Sequence, residues 1–380
     1  MTYLHQTPGH VLIAAAKALE TGRSAEARAL LRTRGDATTA QERLDVLLGA
    51  ALEARLDGAE GGGNLYAGDD RAEARMIAAF ELLAQETPLI RFGYVTANLA
   101  ILEATTDAEA VHVVDVGIGA GTQWLDLIDR LASTAEGGRP RALRVTGVDV
   151  PDAAGETLQA LGRVGDQLRR YAGERGVDFG FRGVAASVEE LRRGDAIWET
   201  RPGEALAVNA SLALHHVEAE AYGEGRGACP RDQVLRVLAA EAPRVLTLVE
   251  PEADHNHSSL ARRVAGARRH YGLVFEILGR VLDADPDCRA ALERGFFGRE
   301  IHNIIADDGP ARVERHEPFA SWSARLSSAG FAPRRLNIEA LAAELRPGGG
   351  FSLATRGEAL QLCFDGAPVL DASAWQASES

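Results

Sequence analysis

The run VVDVGIGAG at residues 113–121 constrains the fold of this chain more than any other stretch of its sequence. A short β-rich segment ends beside an acid, Asp115, and leads through three alternating glycines into apolar residues at helical spacing. The run therefore predicts a strand, a tight turn and a helix. Glycines let the backbone come close to a ligand, and the helix N-terminus presents free N–H groups to an anionic end. We expect a βα unit that binds a nucleotide-like cofactor.

The same alternation of strand and helix patterns continues along the chain. The predicted strands are 111–116, 143–150, 177–184, 205–209 and 245–249, followed by 334–338, 359–364 and a short piece at 368–370. Apolar strands that alternate with helices indicate a parallel sheet covered on both faces. The late strands suit an antiparallel hairpin at the edge of that sheet.

Length and periodicity divide the chain into four segments. Its 380 residues exceed the size at which a single core stops growing, about 250 to 300 residues. The predicted segments are an N-terminal helical cap at 1–106, the first part of the sheet core at 107–257, a helical insertion that adds to the cap at 258–317, and the completion of the core at 318–380. The predicted fold class is α/β, a mostly parallel sheet with an α-helical cap.

Charge and cysteine content exclude several classes of protein. The 41 basic and 55 acidic residues give a formal net charge of -14, and no Lys/Arg stripe is evident, so nucleic acid is not expected as a partner. Three cysteines without close spacing suit a reducing compartment and predict no metal site. The first residues lack the pattern of a signal peptide, and no run of about 18 apolar residues predicts a membrane span. We expect a cytoplasmic protein.

The glycine loop resembles the D-x-G-x-G-x-G loop of class I methyltransferases. Thr122 stands where a dinucleotide fingerprint places its third small residue, which makes NAD less favoured. The resemblance implies a Rossmann-like methyltransferase sheet with S-adenosyl-L-methionine as cofactor. It also implies that Asp149, at the end of the second strand, binds the ribose, and that Asn209 lies beside the sulfonium. The residues expected to bind the cofactor are Asp115, Gly117, Gly119, Gly121, Gln123, Asp149 and Asn209.

A second resemblance covers nearly the whole chain. Its motifs are RFGYVTANLAILEA at 91–104, VHVVD at 111–115, LAVN at 206–209, LHH at 214–216, EIHNIIA at 300–306, VERHE at 313–317 and ASAW at 372–375. Together they resemble the GRAS domain family, which implies a methyltransferase-like core topped by a helical cap. Plant members of that family are known as transcriptional regulators, and many depart from the glycine loop. Because this chain keeps all three glycines, we expect a bacterial-type member with a working cofactor site.

Candidates for chemistry follow the later strands and lie on the predicted cap. Glu250 and Glu252 are separated by one residue, and two nearby carboxylates raise one another's pKa toward a useful range. Imidazole has an unperturbed pKa of about 6.5, which makes His216 a further candidate base. The residues expected to bind a substrate are Tyr94, Asn98, Asn256, Arg299, His302 and Asn303.

Structural roles remain open for several of these residues. A GxGxG turn also serves as a tight connection, Asp149 could cap a helix, and Asn209 could close a turn. The two glutamates could be solvated acids in a loop. One histidine of the pair at 215–216 could simply pack against a helix.

Two functions follow from these patterns. The first is an S-adenosylmethionine-dependent methyltransferase that acts on a small molecule bound between core and cap. The alternative is a non-catalytic GRAS-like module that binds a small ligand or a protein partner, because a fold does not fix a function. The expected partner is a small-molecule substrate, without nucleic acid or membrane, and a homodimer is left open.

Overall fold

The computed structural model describes residues 8–32, 37–58, 70–133, 140–152, 155–219 and 229–378. In these ranges the helices are α1 Pro8–Glu20, α2 Ser24–Leu31, α3 Ala40–Asp57, α4 Asp70–Glu86, α5 Leu89–Ala104, α6 Thr122–Ala132, α7 Thr157–Arg175, α8 Pro230–Ala240, α9 Leu260–Val281, α10 Pro286–Ala290, α11 Phe297–Ala306, α12 Phe319–Ala329 and α13 Ile338–Leu345. The strands are β1 Ala110–Val116, β2 Ala142–Asp149, β3 Asp178–Ala185, β4 Glu204–Ser211, β5 Val245–Pro251, β6 Phe331–Arg334, β7 Phe351–Arg356, β8 Ala359–Phe364 and β9 Ala367–Ala377. None of these helices is both long and apolar enough to cross a membrane.

The chain forms two compact units. Unit 1 comprises residues 1–89, 252–318 and 364–369, and unit 2 comprises residues 90–251, 319–363 and 370–380. The predicted insertion at 258–317 is helical, with α9, α10, a π-helical turn at Ala291–Phe296 and α11.

Helix α9 forms the centre of unit 1 and packs against α1, α3 and α11. Helix α3 contributes leucines at positions 44, 48 and 52, which lie on one face of the helix and are fully buried. A capping box starts α3: Thr39 accepts a hydrogen bond from the Glu42 backbone, and the Glu42 carboxylate accepts one from Thr39. The hydrogen bonds that the Glu42 carboxylate accepts from Thr39 and from Thr38 lower its pKa to about 2. Local sequence signals therefore fix where this helix begins.

Unit 2 is an α/β structure around a mostly parallel mixed sheet. The strand order is β3-β2-β1-β4-β5-β9-β8-β7, and β6 pairs with β9. Strands β3, β2, β1, β4 and β5 run parallel, whereas β9 runs antiparallel to both β5 and β6. Consecutive valines of β1 point to opposite faces, so Val113 packs with α5, α6 and α7 and Val114 packs with α8 and α12. This confirms the prediction of a parallel sheet covered on both faces.

The end of the sheet differs from its prediction. Strand β6 covers 331–334 instead of 334–338, β9 is much longer than the expected 368–370, and β7 and α13 were not predicted. Strand β9 contains polar residues, so its sequence does not show the apolar pattern from which the other strands were predicted. Asp371 accepts a hydrogen bond from Gln361, and Ser373 donates one to the Leu248 carbonyl, so both polar side chains have a partner inside the sheet.

Candidate functional site

The carboxyl edge of β1 is the point where the sheet changes direction. The chain passes from β1 to β2 on one side, and later places β4 on the other side of β1. Val116, the last residue of β1, aligns with Val148 of β2 and Ala210 of β4. Open α/β sheets bind ligands outside the carboxyl ends of strands at such a switch point. The glycine loop leaves β1 there.

The three glycines of the loop serve different purposes. Gly117, Gly119 and Gly121 have φ values of +78°, +51° and +67°, a region that favours glycine. A Cβ at Gly117 would lie 2.9 Å from the Ala213 Cβ, and one at Gly121 would lie 2.8 Å from Val164. A Cβ at Gly119 would meet no atom of the described residues within 4 Å. Packing explains the outer two glycines, whereas Gly119 borders open space that a side chain would enter.

Asp149 lies beside this open position. Its half-buried carboxylate accepts the Val150 N–H at 2.9 Å and the Gly119 N–H, while burial raises the pKa of the acid. Helix α7 begins after Glu156, so Asp149 does not cap it. A carboxylate has about four lone-pair positions, and these two bonds leave acceptor capacity for a ligand.

A buried polar network lies at the root of the loop. The Asp115 carboxylate accepts hydrogen bonds from Asn209 Nδ2 and Trp124 Nε1, each at 2.7 Å. Asn209 Oδ1 accepts from Thr247 Oγ1 at 2.7 Å and from Gln123 Nε2 at 3.3 Å. Burial is the main cause that raises the pKa of Asp115 to about 6. These residues hold one another in place and support the loop from within, because a fully bonded buried network is rigid.

Asn98 extends this network to α5. Its Nδ2 donates to the Gln123 carbonyl at 3.0 Å and to Asp126 at 2.8 Å, and its Oδ1 accepts from Gln123 Nε2 at 3.1 Å. The side chain is fully buried, so it joins α5 to α6 and presents no group to a substrate. Tyr94, one turn earlier, is half-buried near Asp115, where burial and the charge of that acid raise its pKa.

Glu250 is a structural clamp at the end of β5. Its Oε1 accepts the backbone N–H groups of Leu214 and His215 at 3.0 and 3.2 Å, and its Oε2 lies 2.6 Å from His215 Nδ1. The side chain of Glu250 is only 3% exposed. It is therefore neither a solvated acid nor a base open to a substrate. His216 follows half-buried, with its charge acting on Asp149, and Glu252 belongs to unit 1.

The remaining predicted substrate residues lie in unit 1, where two of them hold chain segments together. Asn256 Nδ2 donates to Glu317 at 2.8 Å. Asn303 is buried and fastens residues 311–314 to α11, because its Oδ1 accepts two backbone N–H groups and its Nδ2 donates to the Ala311 carbonyl. Arg299 and His302 lie half-exposed on the same helix. The asparagines thus have structural roles in place of the predicted contact with substrate.

Two side chains beside the loop were missed in the sequence. Val150 and Leu212 directly follow β2 and β4 and are exposed, although both are apolar. Leu212 has a φ of +54°, which is strained for a bulky side chain. An apolar residue placed just beyond a parallel strand is the signal that could have indicated them.

The loop and Asp149 fit the amino-acid and ribose parts of S-adenosylmethionine, but the network residues fit less well. Gly119 leaves space and Asp149 keeps acceptor capacity. Asp115, Gln123 and Asn209 are at most 4% exposed and bond to one another. These three can act on such a ligand only by supporting the loop.

Comparison with known proteins identifies relatives over nearly the whole chain. A model of the GRAS domain family matches residues 9–376. Chitin-inducible gibberellin-responsive protein 2 of Oryza sativa subsp. japonica is 34% identical, covering 96% of this chain and 68% of that protein. Scarecrow-like transcription factor PAT1 of Arabidopsis thaliana is 35% identical, covering 78% of this chain and 59% of that protein. The crystal structure of SCL7 in Oryza sativa matches with a TM-score of 0.80 and 30% identity, covering 98% of this chain and all of that one.

These relatives contradict several predictions. The methyltransferase activity was wrong, because one of these relatives is named as a transcription factor and neither is named as an enzyme. Without that activity, the catalytic roles predicted for Glu250, Glu252 and His216 have no reaction to serve. Solved methyltransferases, such as loganic acid methyltransferase at 11% identity and a TM-score of 0.38, are too dissimilar to this chain to support a methyltransferase activity. The prediction of a small-molecule substrate and no nucleic-acid partner was wrong for the same reason. These relatives are plant proteins, so they do not support the prediction of a bacterial-type member.

Proposed function

Because the chain belongs to the GRAS domain family, we propose that it regulates transcription through protein partners and catalyses no reaction. The observation that carries this proposal is the 35% identity to Scarecrow-like transcription factor PAT1 over 78% of the chain. The chain spans only 59% of that relative's length, so the proposal concerns the part that the two proteins share. A regulator of transcription acts where the DNA is. We therefore propose this location in place of the cytoplasmic one that was predicted from composition.

The charge of the chain favours indirect contact with DNA. Direct binding releases counterions from the phosphate backbone through clustered Lys and Arg side chains. This chain carries a formal net charge of -14, which repels a polyanion at long range. A protein partner that itself binds DNA resolves this conflict.

The geometry supports a scaffold more than a catalyst. The acids and amides at the carboxyl edge of the sheet are bonded to backbone groups and to one another, as Glu250 and Asp115 illustrate. A general base needs an acceptor atom within reach of a substrate proton. We propose that the sheet, with the strand order of a class I methyltransferase core, serves to display loops and surfaces to partners.

A tethered reporter in plant cells tests this function. The chain is fused to an unrelated DNA-binding domain, and we expect reporter transcription to rise or fall relative to the domain alone. A reporter without the binding sites is the control and is expected to stay constant. Unchanged transcription from the tethered chain would contradict the regulatory function.

Purified chain and duplex DNA test whether the contact is indirect. We expect fluorescence anisotropy at physiological salt to show a dissociation constant no smaller than about 10⁻⁶ M, which is the tight end of the range for non-specific binding. Tighter binding by the chain alone would contradict the need for a partner, but not the regulatory function itself.

A further inference from the structure

Strand β3 is the open end of the sheet in unit 2. In the described part of the chain it pairs with β2 on one side and with no strand on the other. All its residues are half-buried or exposed, whereas those of β1, β4 and β5 are almost all buried. An end strand offers a row of backbone N–H and C=O groups to another strand. The residues of β3 that point outward therefore decide what kind of strand can pair there.

Two hydrogen bonds show which residues of β3 point outward. The Ala186 N–H, directly after β3, donates to the Asp149 carbonyl of β2 at 2.9 Å, so Ala186 points toward β2. Successive residues of a strand direct their backbone groups to opposite sides, so Phe179 and Phe181 point away from β2. In agreement, the Phe181 carbonyl accepts a hydrogen bond at 3.1 Å from the Arg169 side chain of α7, which lies outside the sheet.

The Arg169 side chain does not close this edge. It is 47% exposed and also forms an ion pair with Asp166 on the same helix. A carbonyl oxygen has two lone pairs, so Phe181 can accept a second hydrogen bond beside the one from Arg169. The outward groups of β3 are thus accessible to an incoming strand.

The sequence of β3 is complementary to itself when two copies run in opposite directions. Residues 178–182 read DFGFR, so an acid and a base lie at equal distances from Gly180. In an antiparallel pair centred on Gly180, Asp178 of each copy lies opposite Arg182 of the other, and Phe179 lies opposite Phe181. Asp178 and Arg182 are both exposed and share one face of the sheet. Unlike charges and aromatic rings that face each other across two strands stabilise the pair.

The outward backbone groups and the charges select the same register. Phe179 and Phe181 then form hydrogen-bonded pairs across the two copies, and each such pair exchanges two N–H···O bonds. The pairs of Asp178 with Arg182 fall at non-hydrogen-bonded positions, where opposing side chains lie closer together. A register centred on Arg182 would place two like charges opposite each other, and one centred on Phe181 would place Arg182 opposite Gly180. Of these three registers, the one centred on Gly180 pairs both charges.

We propose that the chain pairs with a second copy of itself through β3, in an antiparallel arrangement centred on Gly180. The sheet of unit 2 then continues from one copy into the other, and the contact is two-fold symmetric, as in most homodimers. Strand β7, at the other end of the sheet, does not suit such pairing, because it carries a base, Arg356, and no acid. The inference goes beyond the proposed function, which concerns other proteins as partners. Its test measures self-association alone, so its failure leaves the regulation of transcription untouched.

Analytical ultracentrifugation of the purified chain and of two charge reversals tests the proposal. We expect a reversible dimer of twice 40.5 kDa with a dissociation constant on the order of 10⁻⁵ M. Asp178→Arg and Arg182→Asp each place like charges opposite each other at both symmetry-related sites, so each variant alone should associate at least about tenfold more weakly. An equimolar mixture of the two variants restores unlike charges at both sites and should form a mixed dimer as tight as that of the unchanged chain. A mixed dimer also shows that both variants fold.

Arg356→Asp is the matched control, because it reverses the charge of an exposed arginine on β7, at the other end of the sheet. It should dimerise as the unchanged chain does. The proposal is overturned if the unchanged chain stays monomeric at about ten times the expected dissociation constant. It is also overturned if either reversal on β3 dimerises as tightly as the unchanged chain, if their mixture does not associate, or if Arg356→Asp weakens association as much as they do.

Discussion

Replacing Asn303 by Ala is expected to lower the free energy of unfolding of unit 1 by about 3 to 5 kcal/mol. The Asn303 side chain is 1% exposed and makes four hydrogen bonds. Its Oδ1 accepts the N–H groups of Val313 and Glu314, each at 2.8 Å, and its Nδ2 donates to Asp307 and to the Ala311 carbonyl, each at 2.8 Å. Alanine leaves these backbone groups without their partner, and each buried unsatisfied group costs about 1 to 3 kcal/mol.

Hydrogen exchange resolved by segment measures this effect in unit 1. We expect the loss of protection to centre on the backbone amides of residues 313 and 314 and on α11. The control is His302→Ala, a truncation at the adjacent, half-exposed position, which should cost less than about 1 kcal/mol. A similar small loss for Asn303→Ala would show that the four bonds do not stabilise the unit.

Asn303 also shows why ligand residues were overpredicted. A polar residue in a helical motif looks the same in the sequence whether it faces a ligand or satisfies distant backbone. The Asn303 Oδ1 binds backbone N–H groups ten and eleven residues away, and Asn256 binds Glu317, 61 residues away. Such partners depend on tertiary contacts, which local spacing does not contain.

The glycine loop was predictable for the opposite reason. Its structure is local: the left-handed φ values belong to the loop itself, and the preceding strand and the following helix directly adjoin it in the sequence. The position of Asp149 beside the loop follows from the rule that parallel strands end at one edge. The sequence does not show which of Asp115, Gln123 and Asn209 bond to one another. Each amide has several possible hydrogen-bond partners, and only the positions of its neighbours in the fold decide among them.

Sheet architecture was predictable where both faces are buried. Strands β1, β4 and β5 are buried almost throughout and are built mainly from apolar residues, which is typical of central parallel strands. The short strand β7 is half exposed and shows no such run. It pairs with β8 at the end of the sheet, and its six residues alone do not show this pairing.

Mild acid is expected to destabilise unit 1 through His270. Burial, aided by the charge of Arg269, lowers the pKa of this histidine from 6.5 to about 4, and Glu252 opposes the shift. The folded state therefore binds fewer protons than the unfolded state between pH 4 and 6.5. Its stabilising effect is fully present above pH 6.5 and is lost as the pH falls toward 4, by about 3 kcal/mol in total.

Unit 2 contains two buried groups whose effects oppose each other. Burial lowers the pKa of His112 to about 4, so this residue also destabilises the fold as the pH falls. Burial raises the pKa of Asp115 from 3.8 to about 6, so the folded state takes up this proton first and gains stability as the pH falls from 6 toward 3.8. Each effect is about 3 kcal/mol, and the two nearly cancel.

Segment-resolved hydrogen exchange at pH 7 and pH 4.5, corrected for intrinsic rates, tests this difference. We expect α9 to lose about 2 to 3 kcal/mol of protection, while β1 loses less than about 1 kcal/mol. His270→Phe keeps the ring contacts with Tyr271 and His255, and it removes a ring whose Nδ1 makes no hydrogen bond to any part of the chain that the structure describes. This variant should retain its protection in acid, whereas His302→Phe at a half-exposed position of α11 should lose it as the unchanged chain does. Equal losses in α9 for both variants would mean that another group in unit 1 carries the acid sensitivity.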